Sequence, residues 1–495
     1  MPEGLAAPRP TALVVGGSVT GLLAAAALAE FADVTIVERD TLPEGTGSRR
    51  GVPQARHAHL VWSGGVRAFD ELLPGLVGEI VARGARRVHI MGDMVSRSPN
   101  EIWFRRFTAT HHRNLVCSRD LLDSVIRERV LSDARITLRE NRTAVGLEGH
   151  AGRVTGVRLR TTTGDRADPA SGQDNGVASR QESVLNADLV VDASGRGSQA
   201  PRWLTDLGLP AVAEREVDAG VAYATRLFRA PGTTADLDFP VVNVQANPAE
   251  APGRGGIILP IEDGRWIVTL AGTRGGTPTG DPDAFVDFAL GLGDPVIGEL
   301  IKGATPLTDV MTTRGTANRR RYFEKTRHWP DGFTVLGDAV AGYNPVYGHG
   351  ITVAAQSALA VRNVLRAAPL TAPGTARRLQ RATARPVAAA WDLAVGQDAR
   401  YPGASDTPPT ALERGLARFV DRAVATGARS PRALGALLDV MSLEKPATRL
   451  FSADMLVPML FGPKKPHLEG PPLTEQERKA ATHRDSGPRL PPAFP

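Results

Sequence analysis

Three short constellations carry residue types whose spacing could do chemistry. The first is Gly16-Gly17-Ser18-Val19-Thr20-Gly21, set between a β-branched apolar run, Thr11 to Val15, and an alanine- and leucine-rich stretch, Leu22 to Phe31. A glycine turn feeding a helix offers unpaired N–H groups and the positive end of the helix dipole, which suits a pyrophosphate. Gly16 permits the tight turn, while Ser18 stands where the general motif has its middle glycine and adds a hydroxyl donor together with a Cβ. Twenty-two positions after Gly16, Glu38 closes a second apolar run in VTIVERD, where a carboxylate can accept from ribose hydroxyls. That register predicts a dinucleotide with a free ribose, FAD or NAD, over NADP, with Arg39 next door pulling the other way.

The second constellation, Gly195-Arg196-Gly197-Ser198-Gln199-Ala200, follows the apolar run of ADLVVDASG. No further βα unit with an acidic strand end comes after it, so it is read as a structural turn below another strand of the same sheet. The third joins Phe333-Thr334-Val335-Leu336-Gly337-Asp338-Ala339 to Asn344-Pro345-Val346-Tyr347-Gly348-His349-Gly350 and an alanine-rich helix. An acid at the end of a buried strand can bind ribityl hydroxyls. A proline-glycine loop that opens a helix can aim N–H groups at an anionic ring, as a reduced flavin with a negative N1/O2 edge requires.

The elements that must position these residues alternate. Strand, glycine turn, helix and strand run from Thr11 to Val37; Asp120 to Leu131 reads as a helix, Ala134 to Leu138 and Arg153 to Arg160 as strands. This alternation predicts a parallel sheet. Residues 161–181 are polar and read as an exposed loop. From Val217 to Leu270 the pattern is antiparallel, with Asp263-Gly264 as a hairpin signal. Val353 to Ala368, Ala376 to Leu393 and, more weakly, the region to Phe461 read as helices, and 462–495 as a flexible proline-rich tail.

The chain has 495 residues, 42 % hydrophobic and 23 % charged, which excludes a small binding module and a disordered chain. Lys plus Arg is 59 against 53 for Asp plus Glu, a net charge of +6 whose only run is Arg319-Arg320-Arg321. No nucleic-acid partner is expected from so mild an excess. The single cysteine, Cys117, excludes a disulfide framework. Neither a secretory signal nor a transmembrane stretch is read, and a cytoplasmic location is expected. His57 and His59, and His111 and His112, come without a third ligand at metal spacing, so no metal is expected.

Taken together, GGSVTGL, VTIVERD, VVDASGRGS and GDAVAGYNPVYGHG resemble the FAD-dependent monooxygenases of the glutathione-reductase-type fold, from about Thr11 to Ala368. RRGVPQARHAHLVWSGG, DAGVAYATRLFRAP and ANRRRY further resemble the squalene-epoxidase-like epoxidases of polyether antibiotic pathways, of the monensin and lasalocid type. The resemblance implies an α/β chain with a Rossmann-like FAD-binding domain (11–85, 115–200 and 310–366), an inserted antiparallel β-sheet substrate domain (86–114 and 201–309) and a C-terminal helical region (367–461). It implies that Gly16, Gly17, Ser18, Thr20 and Gly21 meet the pyrophosphate, and Glu38 and Arg39 the adenosine end. Arg119 would stand near the phosphates and ribityl chain, Val145 would offer its backbone to adenine, and Asp338 would hold the ribityl region. Pro345, Gly348, His349 and Gly350 would face the isoalloxazine, with Arg49 over the flavin. Trp62, Tyr223, Phe228, Trp266 and Tyr347 are candidates to wall an apolar substrate cavity.

The function implied is epoxidation of an apolar polyene, free or carried on a carrier protein, through a flavin C4a-hydroperoxide. NAD(P)H or a separate flavin reductase would supply electrons. No side-chain acid or nucleophile is required, because the transferred oxygen is cofactor-borne. The alternatives weighed are an aromatic hydroxylase of the same fold, a flavin oxidoreductase without oxygen insertion, and a nucleotide-binding protein without turnover. Halogenases share the fold, but their Trp-x-Trp-x-Ile-Pro signature is absent, and without a Cys-x-x-x-x-Cys pair disulfide reduction is excluded.

Overall fold

Thr11–Val15 is apolar at every position after the first, and the computed structural model, which describes residues 8–47, 49, 51, 53–161, 182–405, 410–462 and 465–482, buries both of its faces. It lies at the centre of a five-stranded sheet in the order Phe333–Val335, Leu189–Asp192, Thr11–Val15, Asp33–Val37, Ile136–Arg139, with every pair parallel. Ala12 and Val14 pack with Leu22, Leu23 and Leu28 of the Val19–Ala29 helix, while Leu13 and Val15 pack with Trp203, Val387 and Trp391 on the other face. Two covered faces are what a parallel sheet needs. Because the strands run the same way, the segments after Val15, Val37, Asp192 and Val335 gather at one edge. All three glycine- and acid-bearing constellations are therefore neighbours.

The middle of the chain builds a six-stranded sheet ordered Met311–Thr313, Ala222–Arg229, Arg265–Gly272, Arg254–Ile261, Val241–Val244, Met94–Arg97. It is antiparallel apart from its last pair, Val241–Val244 with Met94–Arg97, which is parallel. The Asp263-Gly264 hairpin is present, and both residues have φ near 60°. The Gly350–Ala367 and Thr375–Asp398 helices return the chain to the parallel sheet, and Ala411–Gly427, Pro431–Met441 and Ala453–Phe461 complete the C-terminal helices.

Within the stretch expected as a flexible tail, Glu475–Thr482 forms a helix, and Glu477 accepts from Arg106 Nη1 at 2.6 and 2.9 Å. A charged partner more than three hundred residues away holds it down. The expected loop at 161–181 lies outside the described residues except for Thr161, which ends the Arg153–Thr161 strand. Among the described residues no helix is long and apolar enough to cross a membrane.

Candidate functional site

Gly16 has φ +103°, and a Cβ there would sit 2.6 Å from the Ala193 carbonyl oxygen; at Gly21 a Cβ would sit 1.8 Å from the Gly16 oxygen. Glycine is thus dictated by close backbone packing at both ends of the turn. Ser18 caps the Val19–Ala29 helix without a side-chain cap hydrogen bond, and the first helical turn holds no acidic residue. The positive end of the helix is left open for an external anion. Glu38 is buried; its Oε2 accepts from Gly17 N at 2.8 Å and from Arg49 Nη2 at 2.9 Å, and its Oε1 from Asp40 N at 3.1 Å. Carboxylate oxygens accept more than one bond, so Glu38 keeps capacity for a ligand hydroxyl.

Arg49 also donates through Nη1 to Gly17 O at 2.8 Å. The guanidinium is thus held between the glycine turn and Glu38, and it lines the same cleft as His349. Arg39 is exposed and pairs with Asp40 at 3.5 Å. Arg119 opens the Arg119–Leu131 helix, gives its Nε to Asp123 at 2.6 Å and lies 3.4 Å from Ser18 Oγ, directly beside the glycine turn. In the Arg142–His150 strand the register slips between Ala144 and Gly146, so the bulge leaves Val145 outside the ladder while Thr143 and Ala144 line the cleft.

At the other end, Asp338 follows the Phe333–Val335 strand. Desolvation raises its pKa above the usual carboxylate range, opposed by the charges of Arg196 and Arg119. The Asn344–Gly350 segment beside it is built on a buried network. Asp398 accepts from Asn318 Nδ2 at 2.6 Å, from Asn344 Nδ2 at 2.9 Å and from the Tyr347 hydroxyl, while the Tyr223 hydroxyl donates to Asn344 Oδ1. Burial raises the pKa of Asp398, and burial and Asp398 together keep Tyr223 and Tyr347 protonated. Gly348 takes φ +65°, ending the Pro345–Tyr347 turn. His349 then caps the Gly350–Ala367 helix and stacks on Trp62 at a centroid distance of 5.7 Å. His349 Nε2 lies 2.9 Å from the Met441 carbonyl oxygen, which can only accept, so Nε2 carries the proton. Its Nδ1 is buried without a hydrogen-bond partner, and burial lowers the ring pKa to about 4.

One cleft of about 670 Å3 runs from Arg142 and Thr143 past Gly16, Ser18 and Glu38 to Asp338, Pro345 and His349. Ser194, Gly195, Arg196 and Gly197 line it too, which corrects the reading of that segment as a plain structural turn. The Leu189–Asp192 strand pairs with Thr11–Val15, so the two turns share an edge; Asp192, buried, takes Ser194 N at 2.9 Å and Ser198 Oγ at 2.6 Å to shape the second one. His57 and His59 are further cleft residues. His57 is bonded on both sides, Nδ1 to Thr225 Oγ1 and Nε2 to Thr313 Oγ1, each at 2.7 Å, and burial followed by the charge of Arg56 lowers its pKa to about 4.

Of the five aromatics expected around a substrate, Trp62, Tyr223 and Tyr347 brace the Asn344–His349 segment; Trp62 Nε1 donates to Tyr347 O at 2.9 Å. Phe228 and Trp266 do not approach the cleft. They are packed with Phe239 and Phe285 between the six-stranded sheet and its covering helices. Strand geometry gives the reason: Phe228 is an odd number of residues from Tyr223 and Thr225, so it faces the other side. The reading that the histidine pairs lack a third ligand is also corrected for one pair, since Asp439 and Glu444 come up to His111 and His112.

No family model matches the chain. It is 33 % identical over 419 residues to Protein Rv3254 of Mycobacterium tuberculosis (strain ATCC 25618 / H37Rv), covering 81 % of this chain and 82 % of that protein. Among solved structures, the flavin-dependent brominase Bmp2 superposes with a TM-score of 0.61 at 14 % identity, over 91 % of this chain and 98 % of its own. The p-nitrophenol 4-monooxygenase PnpA from Pseudomonas putida DLL-E4 gives 0.57 at 15 %, over 88 % and 97 %. At such identities the likeness is one of fold: an FAD-dependent monooxygenase-type fold, shared with flavin-dependent halogenases.

Proposed function

Since the chain belongs to one family with Protein Rv3254 of Mycobacterium tuberculosis and has an FAD-dependent monooxygenase-type fold, we propose that it binds FAD and epoxidises alkenes of an apolar polyene. The observation that carries the cofactor is the single cleft joining an uncapped helix N-terminus and Glu38 at one end to Asp338 and the Pro345–Gly350 segment at the other. The residues fit the group. The glycine turn has no room for a Cβ, the helix end lacks an anion, and His349 Nδ1 is a buried acceptor without a donor.

Gly16 to Gly21 and Arg119 would hold the pyrophosphate, Glu38 the adenosine ribose, the Val145 backbone the adenine and Asp338 the ribityl hydroxyls. The Gly350–Ala367 helix start would face the ring. Bound and reduced, FAD would supply the electrons that activate dioxygen, one atom of which is transferred. Overall, an alkene, dioxygen and two electrons with two protons from NAD(P)H or a flavin reductase give an epoxide and water. The chain's own residues bind, exclude water and orient the alkene.

What supports epoxidation over phenol hydroxylation is the sequence resemblance to polyether-pathway epoxidases; His57, with both ring nitrogens engaged by threonine hydroxyls, is not placed as the base that a phenol would need. The test is turnover of a linear polyene by reduced holoprotein in air, read by product mass. A product that gains one oxygen atom while losing an alkene supports the proposal. Oxygen gained only on a phenol, or turnover without oxygen, contradicts it.

A further inference from the structure

Away from the cleft, four side chains from three parts of the chain converge. His111 and His112 precede the Arg113–Val116 strand, Asp439 is on the Pro431–Met441 helix and Glu444 lies just beyond it. One ligand atom of each lies within 4.8 Å of the others. His111 and Glu444 are 333 residues apart in sequence, which is why spacing along the chain does not reveal the group. We propose that His111, His112, Asp439 and Glu444 form a binding site for a zinc-class divalent cation.

Three features argue for an ion rather than an ordinary polar cluster. His112 has a side chain only 1 % exposed, yet neither ring nitrogen makes a hydrogen bond; Nε2 lies 3.3 Å from Asp439 Oδ1 without hydrogen-bond geometry. A buried imidazole left in this way is costly unless something else satisfies it.

Each carboxylate also divides its oxygens. Asp439 turns Oδ2 to Arg449 Nε at 2.7 Å and Lys445 Nζ at 3.3 Å, and keeps Oδ1 toward His112. Glu444 Oε1 accepts from Ser63 Oγ at 2.6 Å, and its Oε2 turns inward, 3.1 Å from His111 Nε2 and 3.9 Å from His112 Nε2. Outer partners that orient inner ligands are the usual surroundings of a bound metal.

Finally, two imidazoles and two carboxylates match the nitrogen and oxygen donors zinc accepts, whereas magnesium prefers oxygen alone. Tetrahedral zinc sets ligand atoms about 3.4 Å apart, so the widest pair must draw in by up to about 1.4 Å. His111, with its side chain 62 % exposed, is free to move. The competitor is Arg67, whose Nη2 lies 2.7 Å from Glu444 Oε2 on a side chain 62 % exposed. It must swing out.

The bound ion would pin the segment whose Met441 oxygen holds His349 and whose Leu443 oxygen accepts from Gln356 Nε2 at 2.9 Å. Its role is structural. The inference stands apart from the flavin reading, because its readout is metal content. Tag-free full-length protein, stripped with a chelator, is titrated with Zn2+ by calorimetry and by equilibrium dialysis with metal counting, in the presence and absence of excess Mg2+. The expected result is one Zn2+ per chain that Mg2+ does not displace, weakened about tenfold or more by His111→Ala and tightened by Arg67→Ala. Absence of Zn2+ binding by the unaltered chain, or an affinity indifferent to both substitutions, overturns the proposal.

Discussion

Asp338 and His57 show how position converts common side chains into specific ones. Asp338 ends a buried strand in a cleft whose Arg196 and Arg119 only partly offset its desolvation. In the proposed complex it exchanges that poor environment for ligand hydroxyls. Asp338→Ala is expected to lose FAD on gel filtration, read as the ratio of flavin to protein absorbance, while circular dichroism stays unchanged. His57 carries a pH prediction. Its ring titrates near 4 in the folded chain against the ordinary histidine value of 6.5, so between those values the unfolded chain binds the proton and the folded chain does not. Stability from this group is therefore complete above pH 6.5 and falls as the pH drops toward 4, by at most about 3 kcal/mol. His57→Gln should flatten the slope of unfolding free energy over that window relative to the unaltered chain; parallel slopes would refute the assignment. At this scale Gly16, Glu38 and Asp338 were legible because each sits at a strand end within a local pattern. The cleft role of Arg196 and the double bonding of His57 were not, because Tyr343, Thr225 and Thr313, which fix them, come from remote strands.

Among elements, the Val19–Ala29 helix depends on close approach at its start. Gly21→Ala would drive a Cβ to 1.8 Å from the Gly16 oxygen and is expected to cost about 3 kcal/mol or more in denaturant unfolding, with loss of flavin. Gly78, inside the Leu76–Ala82 helix, has nothing within 4 Å of an added Cβ, and Gly78→Ala should stabilise by about 0.5–1 kcal/mol in the same assay. The contrast separates packing from propensity. Elements were well legible where periodicity was clean: the strand-turn-helix-strand opening and the Asp263-Gly264 hairpin stand as the sequence suggests. The misplacement of Phe228 and Trp266 was avoidable, since alternation along the Ala222–Arg229 strand already separates Phe228 from Tyr223. The Glu475–Thr482 helix was not legible, because its anchor is Arg106.

Over the whole molecule, the parallel sheet collects turns from residues 16, 38, 194 and 338 along one edge, and the six-stranded sheet brings Thr225 and Thr269 to the segment bearing His57 and Ala58. The cleft is thus an outcome of topology, with its glycine-turn end written locally and the surroundings of His57 assembled from distant strands. The Asp398 network is a whole-molecule feature of the same kind. Asp398→Ala would leave Asn318, Asn344 and Tyr347 without their shared acceptor, and is expected to lower Tm and weaken FAD binding together, checked by thermal unfolding with and without added FAD. In the proposed complex one FAD lies along this cleft. The most direct measurement is a titration of the purified, flavin-stripped chain with FAD, followed by visible absorbance and protein fluorescence. Saturation at one FAD per chain and a yellow protein are expected; a chain that stays colourless and unquenched at saturating FAD would rule the cofactor out.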